Sequence, residues 1–146
     1  MSEAETLSRY GLWISDDQRS EILRLLAEQA GRERQSQGEG DTLVMRLCAA
    51  QLFGLGRVED AAAIWRAKSA SSDAYASIDV HLLCGAGLGE TLEWLDAVGD
   101  ATSRKAAERI RECLAAGDFD GFSVETYRTS LAEYYASAIA DGDDYE

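Results

Sequence analysis

The sequence predicts an all-α protein built of stacked antiparallel helix hairpins, with about seven helices in a single domain. Three observations carry this prediction. None of the 146 residues is proline, and because proline breaks helix interiors its absence favours a helical chain. The 13 glycines stand mainly between apolar segments, where they can end a helix. Within those segments, apolar residues recur at spacings of three, four and seven, the period of one helix face.

The first quarter of the chain predicts a short helix, a longer helix and a loop. Residues 1–14 are expected to form an N-terminal arm whose helix ends at Gly11. The longer helix begins at Ser15, because Gln18 three residues later completes a capping box. It ends before residues 36–40, whose sequence SQGEG is typical of loops. We expect that loop to be the most mobile segment.

Residues 43–68 form the predicted centre of the fold, as two helices hinged at Gly54-Leu55-Gly56. The first of them is apolar on most sides, which is typical of a buried helix. Asp41 is a suitable N-cap for it. The second carries one apolar stripe, made of Val58, Ala61, Ala62 and Trp65.

The rest of the chain predicts four more helices and an acidic tail. These helices are residues 74–84, 88–98, 101–116 and a last one that begins after Ser123. Gly99 is expected to end the second of the four in the left-handed conformation that glycine tolerates. The tail, residues 141–146, is expected to fray.

The two apolar helices that precede glycine hinges echo each other. A shift of 31 residues superimposes Leu52, Gly54, Gly56 and Glu59 on Leu83, Gly85, Gly87 and Glu90. The segment LFGLGRVEDAAAIWRAK, residues 52–68, resembles the turn and second helix of a tetratricopeptide-like repeat, and the resemblance extends over about residues 42–98. The residues IWRAK and DVHLLCGAGL also resemble a pattern of small bacterial proteins. The repeat resemblance implies a scaffold that binds another protein along a groove.

That resemblance places the first helix of each pair on a concave face. The candidate partner-binding residues on this face are Arg46, Gln51, Tyr75, Asp79 and His81. Tyr135 of the last helix joins them, because Tyr127 and Tyr134 fall on the apolar stripe and leave Tyr135 to face a partner.

Charge narrows the class of partner. The net charge is −13, and residues 71–146, with 16 acids and 5 bases, hold −11 of it. Such a field repels phosphate backbones and anionic membranes, so neither nucleic acid nor membrane is an expected partner. No apolar run approaches the roughly 18 residues that a membrane-spanning helix needs. We therefore predict a protein–protein interaction module that binds a basic protein; self-association into a homo-oligomer is a further possibility.

No motif predicts an enzyme or a cofactor. Residues 80–98 imitate the start of a dinucleotide-binding unit, but Glu90 occupies the place of the third glycine. Residues 118–121 begin like a calcium loop, and Phe122 then stands where a third oxygen ligand is needed. The chain has one histidine and no nucleophile elbow.

Metal or small-molecule binding is the alternative function. His81 and Cys84 lie three residues apart, so both can face one ligand from the same helix. With Cys48 and Cys113 they would make a Cys₃His zinc set if their helices converge. The competing interpretation is that the cysteines are small buried residues. Three cysteines without a CxxC pair, and an N-terminus without an apolar signal segment, predict reduced thiols and a cytoplasmic location.

Overall fold

The computed structural model describes residues 1–143, and side chains as far as Ser137. Over that range the chain is all-α, without a strand. It forms eight α-helices: α1 Glu3–Tyr10, α2 Arg19–Gln35, α3 Thr42–Leu55, α4 Asp60–Lys68, α5 Ser72–Ser77, α6 Leu88–Val98, α7 Ala101–Ala115 and α8 Val124–Asp143. Two 3-10 turns, Asp16–Gln18 and Val80–Cys84, precede α2 and follow α5. None of these helices is long and apolar enough to cross a membrane.

Several predicted helix ends are confirmed by local hydrogen bonds or by glycine conformation. Two are shifted: a 3-10 turn separates Ser15 from the start of α2 at Arg19, and α3 continues through Gly54 to Leu55. Asp41 accepts bonds of 3.1 Å from two backbone N–H groups in the first turn of α3. The backbone N–H of Ser15 donates to Gln18 Oε1 at 3.0 Å. Gly11 and Gly99 end α1 and α6 with φ of 74° and 66°. The predicted tail, in contrast, begins inside α8, and residues 144–146 lie outside the described residues.

Helix α3 is the centre of the fold, as its composition predicts. It packs against α1, α2, α5 and the turn Val80–Cys84. Nine of its side chains, all between Val44 and Phe53, are buried. The turn approaches α3 so closely that a Cβ on Gly85 would lie 2.5 Å from the carbonyl oxygen of Phe53. Gly85 is therefore required for close backbone packing, and only glycine fits there.

The predicted helix over residues 74–84 is wrong. Helix α5 ends at Ser77, Asp79 adopts an extended backbone with ψ of 138°, and a 3-10 turn follows. The cause is Lys68, whose buried ammonium donates to the carbonyl oxygens of Tyr75, at 2.6 Å, and of Ile78. Those carbonyls would otherwise accept bonds within a continuing helix. Burial lowers the pKa of Lys68.

The loop at residues 36–40 is anchored rather than detached. Glu33 of α2 is 2% exposed, and its Oε1 accepts bonds from the N–H groups of Gly38 and Gly40 at 2.8 and 3.0 Å. Its other oxygen accepts the hydroxyl of Ser71, the N-cap of α5. These bonds conflict with the expectation that this loop is the most mobile segment.

A partly buried ion pair joins α2 to α4. Asp60, in the first turn of α4, is 2% exposed, and Arg19 holds it through both carboxylate oxygens. From the sequence alone, the only reason for an acidic residue at position 60 is that a carboxylate is favourable at the positive N-terminal end of a helix. Its neighbour Glu59 is exposed and lies 3.8 Å from the same arginine.

Candidate functional site

Two of the predicted site residues, Asp79 and His81, lie together at the surface. His81 Nδ1 is 2.9 Å from Asp79 Oδ1, and Tyr127 of α8 donates its hydroxyl to Asp79 Oδ2 at 2.9 Å. His81 Nε2 is 2.7 Å from the carbonyl oxygen of Asp118, so this nitrogen must donate. Both ring nitrogens of His81 are thus occupied, and neither is available to a metal ion in this arrangement.

Aromatic rings enclose His81. Its ring stacks on that of Tyr127, with centroids 5.5 Å apart and 16° between the planes. Phe119 and Phe122, in the loop between α7 and α8, bring their centroids to 4.5 and 5.6 Å. Phe53 of α3 lies 5.1 Å from Tyr127 on the inner side. The cluster therefore joins α3, the turn after α5, and α8.

The hydroxyl of Tyr127 acts as a hydrogen-bond donor to Asp79. Burial raises the pKa of its hydroxyl, and the charge and the hydrogen bond of Asp79 raise it further. The hydroxyl stays neutral at physiological pH, so it holds the Asp79 carboxylate in place. Tyr127 is not suited to act as a base.

A shallow hollow of about 300 Å³ opens beside this cluster. The rings of His81, Phe122 and Tyr127 line it, and the exposed carboxylates of Asp118 and Asp120 lie at its border. We call this the acidic hollow. Thr126 and Ser130 contribute hydroxyls to the wall. Neither lysine nor arginine is among its lining residues, so aromatic faces and carboxylates give it the chemistry that attracts a cation.

Three residues of the acidic hollow are not among the predicted site residues. In the sequence, Asp118, Asp120 and Phe122 belong only to an incomplete calcium loop, because Phe122 stands where an oxygen ligand is needed. The available signal was the alternation of acidic and aromatic residues in DFDGF, residues 118–122. What the sequence lacked was the position of this loop opposite His81, which is 37 residues away from Asp118.

The prediction that Tyr135 faces a partner is wrong. Tyr135 is 2% exposed, and burial raises the pKa of its hydroxyl to about 12. Tyr134, assigned to the core stripe, is 49% exposed. Arg46 lies over the Tyr134 ring, 4.9 Å from its centroid, and is 3.5 Å from Glu3. Arg46 therefore stays near the surface but is already engaged by its own chain.

The prediction that Gln51 lines a groove is also wrong. Gln51 is 0% exposed, and its amide donates to the carbonyl oxygen of Gly11 at 2.7 Å, which ties the N-terminal arm to α3. Tyr75 does lie at the surface, 36% exposed, with Lys68 Nζ 4.1 Å from its ring centroid. Of the six predicted residues, the structure brings Asp79 and His81 into direct contact.

The predicted zinc set does not assemble. Cys48, Cys84 and Cys113 are free and buried. Burial raises the pKa of Cys48 and Cys84 to about 12. Throughout the described chain, no group of three or more His, Cys, Asp and Glu residues is arranged to hold a metal ion.

Comparison of the chain with models of protein families, with curated proteins and with solved structures finds no match.

Proposed function

We propose that this protein is a binding module for a basic protein, and that the acidic hollow receives a lysine or arginine side chain of that partner. The observation that carries the proposal is the combination at one site of the Phe122 and Tyr127 rings with the carboxylates of Asp118 and Asp120. A cation over an aromatic face gains about 0.5–2 kcal/mol, depending on how far it is desolvated. An exposed carboxylate adds up to about 1 kcal/mol.

The charge around the hollow supports a basic partner. Residues 117–146 hold eight carboxylates and one arginine, a net charge of −7 within 30 residues. A field of this sign raises the association rate of a cationic protein at low salt and disfavours anionic ones. The hollow would then provide the specific contact, and the surrounding charge would guide the approach.

The scaffold is part of the same proposal. We interpret residues 42–98 as a tetratricopeptide-like pair of repeats, since Gly56 and Gly87 both have positive φ, of 73° and 108°, and each precedes a helix. The split of the second copy into α5 and a 3-10 turn is a departure from that family. A cytoplasmic location is supported by the free state of the three buried cysteines.

The proposal is tested by capture experiments with a matched pair of variants. Immobilised protein is exposed to lysate of the source cell at about 0.1 M salt and at 1 M salt, where the Debye length falls from about 10 to 3 Å. The test variant carries Asp118→Asn and Asp120→Asn, which keeps the backbone carbonyl that His81 needs. The control carries Glu93→Gln and Glu108→Gln, two exposed carboxylates on α6 and α7 outside the hollow.

The expected result is a basic protein that the wild type and the control retain at low salt and release at high salt, and that the test variant retains at least about fivefold less. Peptide scanning of that partner should locate one lysine or arginine whose replacement has the same effect. Equal retention by both double variants would show that general charge, and not the acidic hollow, binds the partner. An empty capture at both salt concentrations would also contradict the proposal.

A further inference from the structure

A second hollow has the opposite charge. It lies where the end of α4 meets the start of α7, has a volume of about 410 Å³ and is lined by Arg34, Trp65, Arg66 and Lys105, among others. We call it the basic hollow. Its three cationic side chains come from three different helices and all are exposed. No carboxylate borders it among the lining residues.

The lack of ion pairs distinguishes these three cations from most others on the protein. Within the described residues, six arginines pair with carboxylates within 4.0 Å: Arg19, Arg32, Arg46, Arg57, Arg109 and Arg111. Arg34, Arg66 and Lys105 make no such pair with any carboxylate in the described part of the chain. On a protein of net charge −13, three cations that line one hollow make it a local site for an anion. The nearby carboxylate is Asp100, the N-cap of α7, whose pKa is lowered by hydrogen bonds from Ser103 and, more weakly, by the charge of Arg66.

An apolar slot lies beside the basic hollow. It lies between α2 and α4, has a volume of about 130 Å³ and is lined by Leu23, Leu26, Ala27, Ala30, Ala63 and Ala67. Arg34 and Arg66 line both the slot and the basic hollow, so the two spaces adjoin. Arg34 donates from Nη2 to the carbonyl oxygen of Arg66 at 3.0 Å, which holds its guanidinium at the junction. Alanines leave room there that larger side chains would fill.

We propose that the basic hollow and the apolar slot together bind a small anionic amphiphile, with a carboxylate or phosphate head in the hollow and a short alkyl chain in the slot. Charge complementarity selects the head, because the guanidinium groups of Arg34 and Arg66 can each donate to an oxyanion and Lys105 adds a third charge. The apolar lining selects the tail, since each methylene withdrawn from water favours binding. The proposal does not depend on the acidic hollow, with which this site shares no lining residue.

Calorimetric titration of the whole protein tests the head and the tail separately. The probes are acetate, butanoate, hexanoate and octanoate, below the concentration at which micelles form, together with octyl phosphate and uncharged octanol. Affinity is expected to rise by up to about fourfold for each added methylene, and to level off once the slot is filled. Octanol should bind at least about tenfold more weakly than octanoate, because it lacks the charge.

Variants assign the binding to this site. Arg66→Gln keeps the backbone carbonyl that Arg34 contacts, and it should weaken octanoate binding by up to about fivefold. Lys105→Gln should have a similar effect, and both changes together more than about tenfold. The control is Arg104→Gln, an exposed neighbour on α7 outside the hollow, which should leave the affinity unchanged. In NMR spectra, the indole N–H signal of Trp65 should shift on binding.

Three results would overturn the proposal. Absence of octanoate and octyl phosphate binding would do so directly. Equal effects of Lys105→Gln and Arg104→Gln would place the bound amphiphile elsewhere on the protein. Binding of an acidic amphipathic peptide, but of neither alkyl anion, would show that the site serves a protein partner. None of these results affects the capture experiment with the Asp118 and Asp120 variants, so the proposed function is tested independently.

Discussion

Replacing Glu33 by glutamine removes one negative charge from the centre of the loop anchor without changing the size of the side chain. In the wild type, Oε1 accepts from the amides of Gly38 and Gly40, and Oε2 accepts from the Ser71 hydroxyl. A glutamine can keep its oxygen on the two glycine amides. Its nitrogen would then donate to the second lone pair of the Ser71 oxygen, whose first lone pair accepts the N–H of Ala74. The hydrogen of the serine hydroxyl thereby loses its acceptor.

The magnitude follows from these three bonds. A hydrogen bond to a charged acceptor contributes about 1.5–3 kcal/mol and a neutral one about 1, so the two glycine bonds weaken and the contact with Ser71 changes from a charged to a neutral hydrogen bond. Part of this loss is offset, because burying a neutral amide costs less free energy than burying a charged carboxylate. We expect Glu33→Gln to lower the free energy of unfolding by about 2 kcal/mol. With a urea slope of about 2 kcal/mol/M, the unfolding midpoint falls by about 1 M.

Urea unfolding at pH 7, followed by circular dichroism, measures this change. The matched control is Glu39→Gln, an exposed carboxylate of the same loop, whose effect should stay within about 0.5 kcal/mol. Hydrogen exchange provides a local measurement, since the amides of Gly38 and Gly40 should exchange slowly in the wild type and faster in Glu33→Gln. Equal effects of the two substitutions, together with unprotected glycine amides in the wild type, would refute this account of the loop.

The same anchor predicts a dependence on pH. The Ser71 hydrogen bond, with the backbone bonds of Gly38 and Gly40, lowers the pKa of Glu33 below its ordinary value of 4.5. A carboxylate whose pKa is lower in the folded state stabilises the fold above the unfolded pKa, and this contribution is lost as the pH falls through the folded pKa. The stability difference between the wild type and Glu33→Gln should therefore be largest above about pH 5 and shrink in stronger acid.

Other predictions concern burial. Asp60→Ala removes the buried partner of Arg19, whose guanidinium is partly exposed and keeps Glu59 at 3.8 Å, and it should cost about 1–3 kcal/mol in urea unfolding. A loss within about 0.5 kcal/mol would contradict a structural role for the pair. Tyr135→Ala should cost about 3–5 kcal/mol, because it empties a buried site, whereas Tyr134→Ala should cost much less, and the reverse order would reject the orientation of α8. The buried thiols should resist alkylation at pH 8 until the protein unfolds, since burial raises the pKa of Cys48 and Cys84 to about 12. Mass spectrometry measures the extent of alkylation, and rapid modification of the native protein would disprove their burial.

Local features of this chain follow from the sequence because their partners are close in the chain. The caps at Ser15 and Asp41 need only the next two or three residues, so composition and spacing suffice to identify them. The burial of α3 follows from the absence of a polar face. The end of α5 is different, because the side chain that donates hydrogen bonds to the carbonyl oxygens at this end is Lys68, in the preceding helix. Nothing within residues 74–84 indicates the break.

The candidate sites show the same division. Asp79 and His81 were predicted because polar residues interrupt an apolar segment, and they do lie at a surface site. The acidic hollow exists only because α8 brings Tyr127 to Asp79 across 48 residues and the loop before it brings Asp118 to His81. Gln51 was misplaced for a related reason, since its partner is a carbonyl of the N-terminal arm, 40 residues earlier.

By itself, the sequence determined the helical class of this protein, most helix ends, the buried central helix and the acidic character of the C-terminal half. These properties depend on residue type and on contacts within one or two turns. The tertiary structure alone decided which tyrosine of α8 is buried, how the loop at 36–40 is held, and where aromatic, acidic and basic side chains converge. Such contacts depend on the packing angles of whole helices, and these angles are set by many side chains at once and not by any local pattern.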